Sequence, residues 1–129
     1  MDIEALKPQI HSWAEKHNLE FVVLFGSQAT GRTHAASDID IAVISKQELN
    51  IPRLMREASE LFEREDVEIV DLGRASPTMM YAVVQEGKLL YEAKPDGFLS
   101  WKFYAIKIWM ETAWLRDLRD KRLIEWANT

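Results

Sequence analysis

Residues 21–43 read FVVLFGSQATGRTHAASDIDIAV. Phe21 to Phe25 is an unbroken apolar run rich in β-branched residues, the pattern of a strand buried on both faces. It stops at Gly26-Ser27, a pair that strand interiors disfavour, so a sharp turn is expected there. A second strand follows over Asp38 to Ile44, where the period of two puts Asp38 and Asp40 on one face and Ile39 and Ile41 on the other. Two like charges at adjacent same-face positions repel and weaken the strand unless a cation lies between them. Hard oxygen ligands from a short Asp-x-Asp suit Mg²⁺, which takes one or two protein carboxylates and completes its octahedron with water and phosphate oxygens. The Gly-Ser turn complements the pair by presenting backbone N–H groups, with Gly26 allowing close approach of a phosphate and Ser27 adding a hydroxyl.

Gly26-Ser27, ten intervening residues and Asp38-Ile39-Asp40 together resemble the motif of polymerase-beta-type nucleotidyltransferases, and among them the minimal nucleotidyltransferases of prokaryotes. The resemblance extends through Val67 to Leu72 and, less closely, through Pro77 to Tyr91. It implies an α/β (α+β) fold, a small mixed β-sheet flanked by helices. It also implies ATP as substrate, two Mg²⁺ ions, and Asp38, Asp40 and a third carboxylate as catalytic and metal-holding residues. Matched to the family's apolar-Asp-apolar-apolar-Asp-Leu strand, the third carboxylate falls on Glu68, with Asp71 as the fallback. Glu68 and Asp71 are an odd number of residues apart and face opposite sides of a strand, so only one of them can share the site. The longer Glu shifts its carboxylate by roughly a bond length relative to Asp. Gly26 and Ser27 would hold the triphosphate. The family often carries Arg three residues after the Ser, where this chain has Thr30. The nearest cation is Arg32, read either as a solvated loop charge or as a group near the triphosphate or the acceptor.

Small stand-alone members of this kind resemble the antitoxins of prokaryotic HEPN/MNT toxin–antitoxin pairs, which attach AMP from ATP to a tyrosine of the HEPN ribonuclease toxin. The resemblance implies that reaction here, with a HEPN toxin as partner in a hetero-oligomer. The alternatives are an antitoxin that masks its partner with a weak or inactive site, and an aminoglycoside-type transferase acting on a small molecule. The last generally needs an additional substrate domain.

Composition narrows the field. The 129 residues suffice for one core, and 16 Lys and Arg against 21 Asp and Glu leave a net charge of −5, so no broad grip on nucleic acid and no template-directed polymerase is expected. There is no Cys, hence no disulfide framework or thiolate metal site, and the N-terminus lacks a basic-then-apolar leader. The expectation is a soluble cytoplasmic protein. Residues 1–93 are read as a minimal nucleotidyltransferase domain, and 94–129 as a C-terminal helical extension packed on the same domain.

The remaining elements follow from periodicity. An amphipathic helix is expected from Asp2 to His17, with His11 and His17, six apart and off any i,i+4 register, as surface residues rather than a metal pair. A short helix or turn is expected from Ser27 to about Thr33, followed by a polar loop. A second amphipathic helix is expected from Ile51 to Arg64, with Pro52 in its first turn and Arg53, Arg56, Glu57, Glu60, Glu63, Arg64 and Glu65 on a solvated face. Ser76-Pro77 opens a helix that stops at Gly87, and Lys88 to Tyr91 forms a last strand. From Phe98 to about Ala127 a single long, aromatic-rich helix is expected, holding four of the five tryptophans. Its apolar residues wrap more than one face, so one stripe can cover the sheet while another serves a partner or self-association.

Overall fold

The computed structural model describes residues 2–26 and 38–128. In chain order the elements are α1 (Ile3–Lys16), β1 (Phe21–Phe25), β2 (Ile39–Ile44), α2 (Ile51–Phe62), β3 (Val67–Asp71), α3 (Pro77–Glu86), β4 (Lys88–Glu92), α4 (Gly97–Glu111) and α5 (Ala113–Ala127). The helix starts are written into the sequence. Asp2, Asn50 and Ser76 each accept a hydrogen bond from the backbone N–H three residues on, satisfying a donor that the helix leaves unpaired. Pro52 and Pro77 stand in first turns, where their missing N–H is no loss.

The four strands form one mixed sheet in the order β3-β2-β1-β4. β1 runs antiparallel to both β2 and β4, and β2 runs parallel to β3. All five residues of β1 are buried because both faces of the sheet are covered. Val22, Leu24, Ile39, Ile41 and Val43 pack against α1 and α2 through Ile10, Trp13, Leu54 and Ala58. Phe21, Val23, Phe25 and Ala42 pack on the other face against Met80 and Val83 of α3 and Phe98, Trp101 and Ala105 of α4. Each fully buried Leu or Ile side chain in these layers contributes about 1.5–3 kcal/mol. Among the described residues no helix is long and apolar enough to cross a membrane.

The single helix expected from Phe98 to about Ala127 is instead two, bent at Thr112 (φ −100, ψ 5). The Thr112 hydroxyl donates to the Ile108 carbonyl at 2.7 Å, the back-bonding that bends helices at Ser and Thr. Arg116 then reaches back, donating to the Trp109 carbonyl at 2.6 Å and to the Thr112 hydroxyl at 2.8 Å. Its guanidinium lies 3.3 Å from the Trp109 ring centroid, while Tyr81 of α3 stacks parallel to the same ring at 4.3 Å. Two planar groups so close to one ring must take opposite faces, so Trp109 is clamped between α3 and the start of α5. Beyond the clamp, α5 buries no residue at all.

Two side chains read as solvated are structural. Glu57 on α2 is half-buried and accepts from Lys16 at 2.6 Å and pairs with His17 at 2.8 Å, tying the end of α1 to α2, so His17 is not a surface residue. The hydrogen bond from Lys16, opposed by burial and aided by His17, holds the Glu57 carboxyl below its ordinary value. A carboxylate lowered in the native state stabilises the fold fully above its unfolded pKa, and that contribution is lost as pH falls through the lowered value. Glu57→Gln should therefore cost about 1–2 kcal/mol at pH 7, and urea midpoints of the two proteins should converge as pH falls below the ordinary carboxylate range.

Candidate active site

The antiparallel register sets Phe25 of β1 opposite Asp40 of β2. The next residue, Gly26, therefore turns directly against that aspartate. Its φ is +76, a conformation that residues with side chains rarely adopt, and a Cβ there would lie 2.6 Å from Asp40 Oδ2. Glycine is required twice over, by the turn and by the close approach. This is the end of the sheet at which β1 leaves and β2 and β3 begin.

Asp40 alternates with Ile39 and Ile41, which lie in the core under α1 and α2, so it shares the α3–α4 face with Ala42. Across the parallel pair its register partner is Glu68, which lies exposed two residues before Val70 on that same face. The Ile39 N–H donates to the Asp66 carbonyl at 3.0 Å, fixing the two strand starts side by side. Asp38 is exposed, one residue ahead of β2. Burial, then the charges of Glu68, Asp38 and Glu86, push the Asp40 carboxyl above its ordinary value. The alternative third acid, Asp71, pairs with Val43, belongs to the opposite face and accepts from the Gly73 N–H at 2.9 Å, a turn-holding role.

Glu86 was not among the expected site residues. It ends α3, where the helix dipole disfavours an acid, and its charge reaches Asp40. No motif spacing marks it, because it arrives from a separate helix. Arg64 lies where the charge of Asp38 acts on it, and its guanidinium forks onto the Asp66 carboxylate, with 2.7 Å from Nε to Oδ1. That hydrogen bond, and more weakly the charge of Asp38, raise Arg64 further above its ordinary value. Ser27, Thr30 and Arg32, and the short helix or turn expected over Ser27 to Thr33, lie outside the described residues.

Chemically this is a hard-oxygen donor set. Among the described residues no three His, Asp or Glu side chains converge on one point at ligating distance. Paired carboxylates such as Asp38 and Asp40 suit an ion that takes one or two of them and fills its remaining positions with water and phosphate oxygens, as Mg²⁺ does. The crowding around Asp40 is what a cation would relieve.

Two substitutions should move stability in opposite directions. Gly26→Ala forces a side chain into positive φ and onto Asp40 Oδ2, and should lower stability by about 2–3 kcal/mol in urea denaturation. Asp40→Asn removes a carboxylate whose native pKa is raised, so whose charged form opposes folding at neutral pH. In metal-free buffer it should raise the melting temperature by about 2–4 °C.

Residues 8–96 match the family model described as polymerase beta, nucleotidyltransferase. The protein adenylyltransferase MntA of Shewanella oneidensis is 40% identical over 84 residues, which are 63% of this chain and 60% of that protein. The protein adenylyltransferase MntA of Aphanizomenon flos-aquae is 33% identical over 93 residues, 62% of this chain and 61% of that one. The match thus spans about three-fifths of each curated relative. A crystal structure of a toxin–antitoxin with AMP-PNP superposes with a TM-score of 0.76 at 28% identity, covering 91% of this chain and 98% of that one. With its carboxylate strand, glycine turn and mixed sheet all inside the matched region, the chain belongs to the polymerase-beta nucleotidyltransferase family.

Proposed function

We propose that this chain is a Mg²⁺-dependent protein adenylyltransferase that moves AMP from ATP to a tyrosine hydroxyl of a HEPN-type toxin, and so acts as its antitoxin in the cytoplasm. The observation that carries the reading is the meeting of Gly26 with Asp40 at the sheet end where Glu68 stands opposite. The similarity to proteins named as protein adenylyltransferases, and to a toxin–antitoxin structure holding an ATP analogue, supports a protein acceptor over a small molecule.

In this reading Asp38, Asp40 and Glu68 are the residues that would hold Mg²⁺, two ions by the family resemblance. Bound there, Mg²⁺ would neutralise the triphosphate and lower the pKa of the attacking hydroxyl. The backbone at Gly26, with Ser27 and Arg32, would grip the triphosphate, and the close approach of Gly26 to Asp40 would set the phosphates beside the carboxylates. The tyrosine oxygen forms a bond to the α-phosphorus as the bond to pyrophosphate breaks, and its proton passes to a Glu68 carboxylate oxygen or to water. No covalent enzyme intermediate is needed, because positioning and charge placement supply the catalysis.

A second reading, neutralisation by masking alone, is favoured by one feature: α5 carries exposed apolar side chains and buries none of its residues. The two readings part on one experiment. Incubation with a HEPN-type toxin, ATP and Mg²⁺ should add one or more AMP masses to the toxin. Asp38→Asn or Asp40→Asn should slow the addition by roughly 100- to 1,000-fold, and Glu68→Gln by roughly 100-fold. A toxin silenced equally by the wild-type chain and Asp40→Asn, with no gain in mass, would sink the transferase reading.

A further inference from the structure

The C-terminal end of α3 reaches the site from a side that β2 and β3 do not cover. α3 passes into β4 through the single residue Gly87, and β4 runs antiparallel to β1 with Lys88 opposite Leu24 and Leu89 opposite Val23. Each step back along the chain from Lys88 is therefore a step along β1 toward Phe25 and the turn at Gly26. On its other side Phe25 is paired with Asp40. Glu86, the last residue of α3, thus stands level with the exit of β1, flanking it from the β4 side as Asp40 flanks it from the β2 side.

The face of the sheet is also the same. Met80 and Val83 of α3 pack with Phe25 and Ala42 on the face that Asp40 shares. The end of the helix is pressed onto β1: a Cβ at Gly87 would lie 2.7 Å from Val23 Cγ1, and the Gly87 N–H donates to the Val83 carbonyl at 2.8 Å. Helix and strand are joined without slack, so the backbone at Glu86 is fixed by both. Glu86 is half-buried there, whereas Gln85 and Lys88 beside it are exposed.

An acid is an unfavourable choice at this position on two counts. It sits at the negative end of the helix dipole, with no basic residue in the last turn to offset it. It also adds its charge to those of Glu68 and Asp38 on the Asp40 carboxyl. A helix end with no duty beyond solvation would lose nothing by carrying Gln or Lys instead. Both costs are offset by one event, the arrival of a divalent cation at Asp40, because the affinity of a carboxylate site for such an ion rises with the negative charge around it.

Resting on the Mg²⁺-dependent reading above, we infer that Glu86 is a positioning residue of this site: delivered by α3 to the exit of β1, its charge raises the affinity of Asp38 and Asp40 for the divalent cation at the expense of the metal-free fold. It acts on the loading of the site and not on the transfer itself.

The test compares the full chain with Glu86→Gln and Glu86→Asp, using Mn²⁺ alone as the probe. Electron paramagnetic resonance of free Mn²⁺, without nucleotide or toxin, should give an affinity about 3- to 10-fold weaker for Glu86→Gln and within about twofold of the wild type for Glu86→Asp. Asp40→Asn should abolish the binding, which assigns the ion to this site. In metal-free buffer the melting temperature of Glu86→Gln should rise by about 1–3 °C. The Mg²⁺ concentration for half-maximal AMP transfer should rise in step with the loss of affinity, with kcat at saturating Mg²⁺ kept within about threefold. Unchanged Mn²⁺ affinity in Glu86→Gln overturns the inference, as does a wild-type chain that binds no Mn²⁺. It is also overturned if Glu86→Gln melts below the wild type, which would make Glu86 a support of the fold, or if Glu86→Asp binds as weakly as Glu86→Gln, which would assign the effect to packing and not to charge. Weakened Mn²⁺ binding in Glu86→Gln, with no AMP transferred by any form, would leave the role of Glu86 standing and remove the transferase reading instead.

Discussion

The site depends on how closely the backbone at Gly26 approaches the Asp40 carboxylate. Only a residue without Cβ can stand there, and only a turn at positive φ brings β1 out of the sheet at that point. The contact brings a turn able to donate to an anion against a carboxylate able to hold a cation. Neither group is costly alone, but the carboxylate is crowded: Glu68, Asp38 and Glu86 all act on it, and the polypeptide alone leaves its charged form disfavoured. The fold tolerates a destabilised group because the strands around it are buried on both faces and held by register.

That register is why a mixed sheet matters. The antiparallel β1–β2 pair places the turn beside Asp40, while the parallel β2–β3 pair brings the start of a second strand to the same end. An antiparallel β3 would put its other end there, and Glu68 would lie several residues from Asp40. The parity of the strands then separates the two acids of β3. Glu68 lands on the α3–α4 face, where the site opens, and Asp71 on the α1–α2 face, where it holds a turn.

The strands and the faces of their acids could be read in the sequence because each rests on a short period: a five-residue apolar run, an alternating Asp-x-Asp strand, and an odd spacing between two acids. The direction and register of their pairing could not be read, since they depend on residues far apart. The helix start at Ser76 was legible for the same reason as the strands, since a cap acts within three residues, and those near Asp2 and Ile51 showed in the apolar periodicity that follows them. What escaped depends on residues far apart in the chain. Glu57 has the same helical phase as its solvated neighbours and differs only because Lys16 and His17 arrive from another helix. Glu86 reaches Asp40 across more than forty positions. The bend at Thr112 needs Arg116 nearby but also Tyr81 from α3 to hold the ring between them, and periodicity over residues 98–127 carries no trace of that partner.

The same bend links the two halves of the chain's work. Had α4 and α5 continued as one straight helix, the residues after 112 would have followed the α4 axis. The clamp redirects them, so that α4 spends Phe98, Trp101 and Ala105 on the core while α5 spends nothing. A charge-crowded site is thus built on a sheet whose core takes no buried residue from α5. Beyond Arg116, which holds Trp109, α5 adds no residue to the core, so its exposed positions can change without disturbing the register that positions Asp40.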